Sequence, residues 1–340
     1  MKPNTTSKPG PLPRALITLL HLSVIAATFC AIPATARGST ILVAEPGYER
    51  IGEYTTSGVT VNASLISGEG FQPWNIAVDG DNLFVGGSGN GTIGRYTTSG
   101  VPINASLISG LSAPHGIAIS DGKLFVAKAI ENTIGLYSTS GTLLNASLVT
   151  GLFSPFGIAV SGEYLFVVNN GNGTIGKYTL SGATVDASLV TGLINATGIA
   201  VSGENLFVLN AGNPVNSGTG TIGKYTTTGA LVNASLISGL ELPYSIAVSG
   251  NDLFVADAST RAIGKYTTSG ATVNASLISG LGVPTSIVVL SDPVPEPSTG
   301  AVLAAATAPL LVFRRRKGAG RVKGQENFSL SAIGIERDGA

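Results

Sequence analysis

A tetrad of the form P-x-[NGS]-I, or a near variant of it, recurs six times in this chain, each time opening a short apolar run. Its variable residue is in turn Trp74, His115, Phe156, Thr197, Tyr244 and Thr285. After the apolar run that follows each tetrad, and after the first such run of the chain, stand turns carrying Glu45, Lys128, Asn169, Asn170, Asn210 and Asp257. Aromatic faces set among carboxylates and amides suit a sugar or another small ligand. Trp74, His115, Phe156, Tyr244, Asn169 and Asn210 are therefore the ligand-binding candidates. The same rings would equally serve as packing that caps the ends of strands, and the residues alone leave both readings open.

Other reactive chemistry is sparse. His115 is the only histidine beyond the first 36 residues, so a Ser/His/Asp triad would have to use it, and no nucleophile-elbow sequence accompanies it. No catalytic residue is assigned. Cys30 is the only cysteine and lies in the N-terminal apolar stretch, which leaves no disulfide and no thiolate metal site in the rest of the chain. Residues 41–292 hold 8 basic against 15 acidic side chains. That balance argues against nucleic acid as a partner, because phosphate binding needs clustered Lys and Arg. An Asn-Ala-Ser triplet recurs at Asn62, Asn104, Asn145, Asn233 and Asn274, with Asp186 at the matching position of the remaining copy. The triplet fits the N-glycosylation sequon, but its once-per-repeat placement is also what duplication would leave.

These residues must be positioned by the repeats that carry them. Near-copies of an I-G-x-Y-T-T-S-G stretch begin at Ile51, Ile93, Ile134, Ile175, Ile222 and Ile263, spaced by 42, 41, 41, 47 and 41 residues. A period near forty with strand-like runs is the signature of propeller blades. Each period holds four short β-prone runs, for example SIAV (245–248), LFVA (253–256), AIGKY (262–266) and VNASLI (273–278), separated by turn-forming residues. No stretch of the repeats keeps a helical period. The chain enters the array on a second-strand run, ILVA (41–44), and leaves it on a first-strand run, SIVV (286–289). The last run should therefore complete the first blade and remove the open edges of a linear array. The expectation is an all-β, six-bladed β-propeller of about 24 strands over residues 38–292. One face should carry nearly identical short turns. The other should carry the divergent loops, the tetrads and the insertion GNPVNSG (212–218).

At the residues P-x-G-I-A-V, L-x-V-A-D and I-G-x-Y the chain resembles the NHL-type and streptogramin-lyase-like propeller repeats, over residues 41–290. That resemblance implies the propeller architecture. The streptogramin-lyase-like enzymes are seven-bladed and use a histidine with acidic partners and a metal, whereas six copies and one histidine stand here. Likeness to the six-bladed gluconolactonase-like enzymes implies a divalent cation at the mouth, with Glu45, Asn169, Asn210 and Asp257 as the ligands that would imitate theirs. A metal-dependent lactonase- or lyase-like enzyme is thus the alternative to a non-enzymatic binding or structural propeller.

The two ends read as addresses. Lys2, Lys8 and Arg14 precede an apolar core (15–32) and the small residues ATA (34–36), the pattern of a secretory signal peptide over residues 1–36. The apolar run is long for such a signal, which leaves a retained anchor as the other reading. Phe29 before Cys30 does not suit lipidation. At the other end stand Val294, Pro295, Glu296, Pro297, Ser298 and Thr299, then an apolar segment (301–313), then Arg314, Arg315, Arg316 and Lys317. This order resembles the PEP-CTERM sorting signal, here over residues 293–317 with a polar tail at 318–340. The resemblance implies export, transient inner-membrane anchoring, processing by an exosortase-type machinery and a place at the cell surface or in the extracellular polysaccharide matrix. The apolar segment would span only about 20 Å as a helix, short of a bilayer core of roughly 30 Å. The basic cluster is expected to stay on the cytoplasmic side.

Overall fold

The computed structural model describes residues 39–87, 89–213 and 219–290. The expected signal peptide, the sorting motif with its basic cluster, and most of the insertion at 212–218 lie outside those residues. Among the described residues there are 24 strands in six four-stranded antiparallel sheets and one short 3-10 turn, Pro46–Tyr48. No helix there is long and apolar enough to cross a membrane.

Each sheet is one blade. Blade 6 runs from an inner strand, Pro243–Ser249, through Asp252–Asp257 and Ala262–Thr267 to an outer strand, Thr272–Ile278. Blades 2 to 5 repeat this order, with inner strands Pro73–Asp79, Pro114–Ser120, Pro155–Ser161 and Ala196–Ser202. Blade 1 is assembled from both ends of the array. Its inner strand, Ser286–Leu290, pairs with Thr40–Glu45, which continues into Arg50–Thr55 and Thr60–Ser67. The register of that seam runs from Thr40 opposite Leu290 to Ala44 opposite Ser286. This is the closure expected from the order of the runs.

The I-G-x-Y motif has a direct packing explanation. In a strand, residues two apart share a face, so each tyrosine ring lies back over the glycine two positions before it. A Cβ on Gly94 would sit 2.8 Å from the Tyr96 ring, and one on Gly52 would sit 2.7 Å from Tyr54. The tyrosines are buried, and with a fully buried Phe in the second strand of five blades they fill the space between neighbouring sheets. The core is therefore six apolar clusters, each spanning two adjacent blades. One joins Phe166, Val168 and Ile175 of blade 4 to Ile199, Val208 and Tyr225 of blade 5, and another joins Phe254 and Ile263 of blade 6 to Ile41, Val43 and Tyr54 of blade 1. Burying one such phenylalanine contributes about 1.5–3 kcal/mol.

The T-T-S-G turns, on the uniform face, also answer to neighbours. Gly58 has φ 92°, and a Cβ there would run into the Leu277 carbonyl oxygen of the preceding blade. A hydroxyl pair closes each turn, as between Thr55 and Ser57 at 2.8 Å. Lys177 crosses the face of Phe166 and donates to the Thr227 carbonyl of the next blade at 3.1 Å. These turns are alike because each has the same contact to make.

The divergent face carries backbone strain. The residue before the tetrad proline, or before its Ala196 counterpart, is left-handed in four blades: Ala113, Ser154, Asn195 and Val283, with φ 47°, 46°, 52° and 59°. A β-branched side chain is the least suited to that region, and asparagine is among the best. Val283→Asn is therefore expected to stabilise the fold by about 1 kcal/mol, read as a higher midpoint in thermal or urea unfolding; an unchanged or lower midpoint would contradict the strain argument.

Candidate functional site

The inner strands begin on the divergent face, and five of the six begin irregularly. In blade 2, Pro73 pairs with Gly87 and Asn75 with Gly86, so Trp74 is an extra residue in the ladder. Equivalent register shifts fall at His115, Phe156, Thr197 and Tyr244. A bulge of this kind bends a strand end and re-aims its side chain. The variable side chains of these five tetrads are thereby turned to the propeller axis, where Thr285 joins them without such a shift.

Four rings meet there in a closed circuit. Trp74 lies edge-on to His115 (centroids 6.0 Å apart) and to Tyr244 (5.9 Å). His115 stacks on Phe156 at 4.4 Å, and Phe156 faces Tyr244 at 6.4 Å. The two remaining positions are threonines, both buried, and the rings close across them. Thr197 Oγ1 donates to the Pro243 carbonyl at 2.8 Å. The structure thus brings together Trp74, His115, Phe156 and Tyr244, the four aromatic or histidine candidates, and they pack on one another while each stays partly exposed.

Beneath the rings lies an axial cavity of about 240 Å³ lined by all six inner strands, with Trp74, Phe156 and Tyr244 at its top. No charged side chain lines it. On one half of the ring, the residue after the variable position ties one blade to the next. Ser286 Oγ accepts the Ile76 N–H (3.2 Å), Asn75 Oδ1 accepts the Ile117 N–H (3.3 Å), and Ser245 Oγ accepts the Ile287 N–H (3.2 Å). On the opposite half of the ring the equivalent residues are Gly116, Gly157 and Gly198, and there the backbones themselves close in. A Cβ on Gly116 would collide with the Phe156 carbonyl oxygen, and one on Gly157 would sit 2.8 Å from that of Thr197. The cavity wall is therefore polar on one side and bare backbone on the other. Thr285 Oγ1, 5% exposed as a residue and part of that wall, has no partner among the described residues. Asn75, Ser245 and Ser286 are not among the site residues expected from sequence. Their signal was the N/G/S alternation inside the tetrad, which reads as turn chemistry until the ring is closed.

The amide and carboxylate candidates are placed elsewhere. Glu45, Asn169, Asn210 and Asp257 end the second strands and are not among the residues lining the cavity. Their oxygens hold down the loop that leads into the inner strand. Asn169 Oδ1 accepts the Phe153 N–H (3.2 Å) and Asn210 Oδ1 the Ile194 N–H (3.3 Å). The Asp257 carboxylate accepts from Glu241, Leu242, Ser259 and Thr260 N–H groups at 2.9–3.2 Å. Glu45, fully buried, takes the Gly282 N–H (2.9 Å), two donors of Arg50 (3.1 Å each) and the Tyr54 hydroxyl (3.1 Å). Burial, with the Glu45 carboxylate beside it, pushes the Tyr54 hydroxyl pKa up. These lone pairs are engaged by donors of the protein, and the four residues sit one per blade. Among the described residues no three His, Cys, Asp or Glu side chains are grouped as metal ligands.

His115 is the member of the ring circuit whose ordinary titration lies near neutral pH. Its Nδ1 is buried without a partner, and burial holds the imidazole below its usual range. The unfolded chain then binds a proton before the folded one does. Stability from this residue is complete above the unfolded value of about 6.5 and is lost as pH falls through that value toward the folded one. His115→Phe keeps a ring to stack on Phe156, and its unfolding midpoint should fall less than the parent's between about pH 7.5 and 5.5. Equal losses in both proteins would show that His115 is not held neutral by burial.

No family model and no curated protein matches this sequence. Similarity is found among solved structures. A chain in the crystal structure of a nidogen/laminin complex is matched with a TM-score of 0.63 at 17% identity, over 75% of this chain and 100% of that one. A functionally unknown protein from Desulfotomaculum acetoxidans is matched with a TM-score of 0.53 at 17% identity, over 75% and 99% of the two chains. A catalytically inactive virginiamycin B lyase from Staphylococcus aureus, solved with quinupristin, is matched with a TM-score of 0.50 at 20% identity, over 68% and 78%. At these identities the likeness establishes the fold alone: the chain carries a six-bladed β-propeller with distant structural neighbours that include a streptogramin-lyase-like propeller.

Proposed function

We propose that this protein is an exported, non-enzymatic propeller of the bacterial cell surface or extracellular polysaccharide matrix, which binds a neutral, saccharide-like ligand on its divergent face. The observation that carries this reading is the aromatic circuit. Four rings converge on one mouth and stay partly exposed, above a wall without charged side chains. Such faces suit the C–H surfaces of sugars, and the uncharged wall supplies no ion pair to a charged ligand. The signal-like N-terminus and the PEP-CTERM-like tail support the address, with an exosortase-type machinery as the sorting partner and the membrane as a temporary anchor.

The lactonase- or lyase-like alternative needs a cation held by Glu45, Asn169, Asn210 and Asp257. The structure favours it at none of these residues, since their oxygens serve backbone N–H groups and, at Glu45, also Arg50 and Tyr54.

Binding is tested on immobilised matrix polysaccharide of the native host. Trp74→Ala and Tyr244→Ala should each weaken it by about 1 kcal/mol, roughly fivefold, while substitutions in the T-T-S-G turns leave it unchanged. The opposite pattern would move the site to the uniform face. Calorimetric titration with Ca²⁺, Mg²⁺ and Zn²⁺ should show no tight site; one that Asp257→Asn abolishes would replace this reading with the enzymatic one.

The address is tested by fractionating the native host with antibodies to the propeller and to residues 318–340. The propeller should be found outside the inner membrane and separated from its tail. Full-length chain in the cytosol, with both epitopes together, would overturn export.

A further inference from the structure

The outer strand of every blade is an edge strand, and it is unusually bare. It is exposed along most of its length in all six copies, and it shows aliphatic side chains to solvent: Val61, Ile103, Leu144, Val185, Val232 and Val273 are 43–54% exposed. Strand edges of this kind template pairing with other chains, and folded proteins usually blunt them with charge or proline. Here the outer strands carry no lysine, arginine or glutamate, Pro102 is their only proline, and Asp186 in blade 4 is their only charged residue.

Asp186 occupies the position that is asparagine in the other five blades. There the triplet is held between two register irregularities, as where Asn104 lies opposite Arg95 and Asn274 opposite Lys265. The side-chain oxygen accepts the N–H of the serine two residues on, at 3.0–3.1 Å in the five asparagine copies and at 2.9 Å from Asp186. The fold therefore needs an oxygen at this position, and a carboxylate supplies it as well as an amide. The amide nitrogens of Asn62, Asn104, Asn145, Asn233 and Asn274 form no hydrogen bond among the described residues, nor do the serine hydroxyls that follow. All five asparagines are exposed. Each exposed edge thus carries either a fixed charge or an unengaged amide with a free hydroxyl two residues later, the arrangement an N-glycosylation acceptor requires.

We propose that the rim is an N-glycosylation belt, with saccharide carried on Asn62, Asn104, Asn145, Asn233 and Asn274 and with Asp186 guarding the one outer strand that lacks an acceptor. The donor class is a saccharide linked to a lipid diphosphate. The asparagine Nδ2 forms the new bond to C1 of the sugar, the C1–O bond to the diphosphate breaks with its electron pair leaving on that oxygen, and Nδ2 loses one proton. The bulky, hydrated saccharide then covers the apolar edge of its own blade. The proposal rests on export, because such donors are used on the outer side of the membrane.

The test uses the propeller recovered from each fraction of the native host, digested and read by mass spectrometry. In the exported fraction, peptides bearing the five asparagines should carry sugar mass on those asparagines, and the strand Thr184–Val190 should carry none. Replacing the five serines, Ser64→Ala, Ser106→Ala, Ser147→Ala, Ser235→Ala and Ser276→Ala, keeps each backbone N–H and so the bond to the asparagine. That variant should lose the added mass yet unfold at the same temperature as enzymatically deglycosylated parent, and it should aggregate faster than the glycosylated protein. Exported propeller with all five asparagines bare, or with sugar on hydroxyls instead, would overturn the belt while leaving export intact. Propeller confined to the cytosol and bare would overturn both.

Discussion

Everything in this fold depends on one seam, the antiparallel pairing of the last strand with the first. Six blades with cores shared pairwise have no internal core of their own, so each needs two neighbours. The ladder from Thr40 opposite Leu290 to Ala44 opposite Ser286 makes blade 1 from both ends and gives every blade its second neighbour. The seam is reinforced on the divergent face. Glu45 accepts the Gly282 N–H, and Gly47 donates to the Gly282 carbonyl at 3.0 Å. A side chain at Gly282 would collide with the Tyr48 ring. The local fit around one glycine thus fixes where the ring closes.

Ring closure also sets the character of the mouth. Six strand starts converging on an axis leave little room for side chains. Four rings and two threonines fill it, and the next layer down has bridging side chains on one half and, on the other, glycines that let carbonyls approach. A six-aromatic version would be overfilled. The divergence of the tetrads therefore has a packing component as well as a binding one, because the ring positions must be chosen together to close.

The architecture could be read from the sequence because repetition multiplies a weak signal. Four runs per period, counted six times, specify blades, strand order and closure without any single strand being compelling alone. The motif glycines and tyrosines were visible as a pattern, but their reason was not, since the contact of Gly94 with Tyr96 is local while that of Gly58 with Leu277 crosses between blades. The convergence of Trp74, His115, Phe156 and Tyr244 was legible from topology. The placement of Asn169, Asn210, Glu45 and Asp257 was not. Oxygen side chains at equivalent turns look the same in one dimension whether they face a ligand or accept the N–H of Phe153 or Ile194, and only the course of the loops distinguishes the two.

The seam has a directional consequence. Inner strands start on the divergent face, so Leu290 ends on the uniform one, and Thr40, its partner in the ladder, starts there too. Both termini of the propeller therefore leave by the same side, about 20 Å of strand away from the aromatic mouth. The six matching turns thus share the side on which the described chain enters and leaves, and the one asymmetric surface lies on the other.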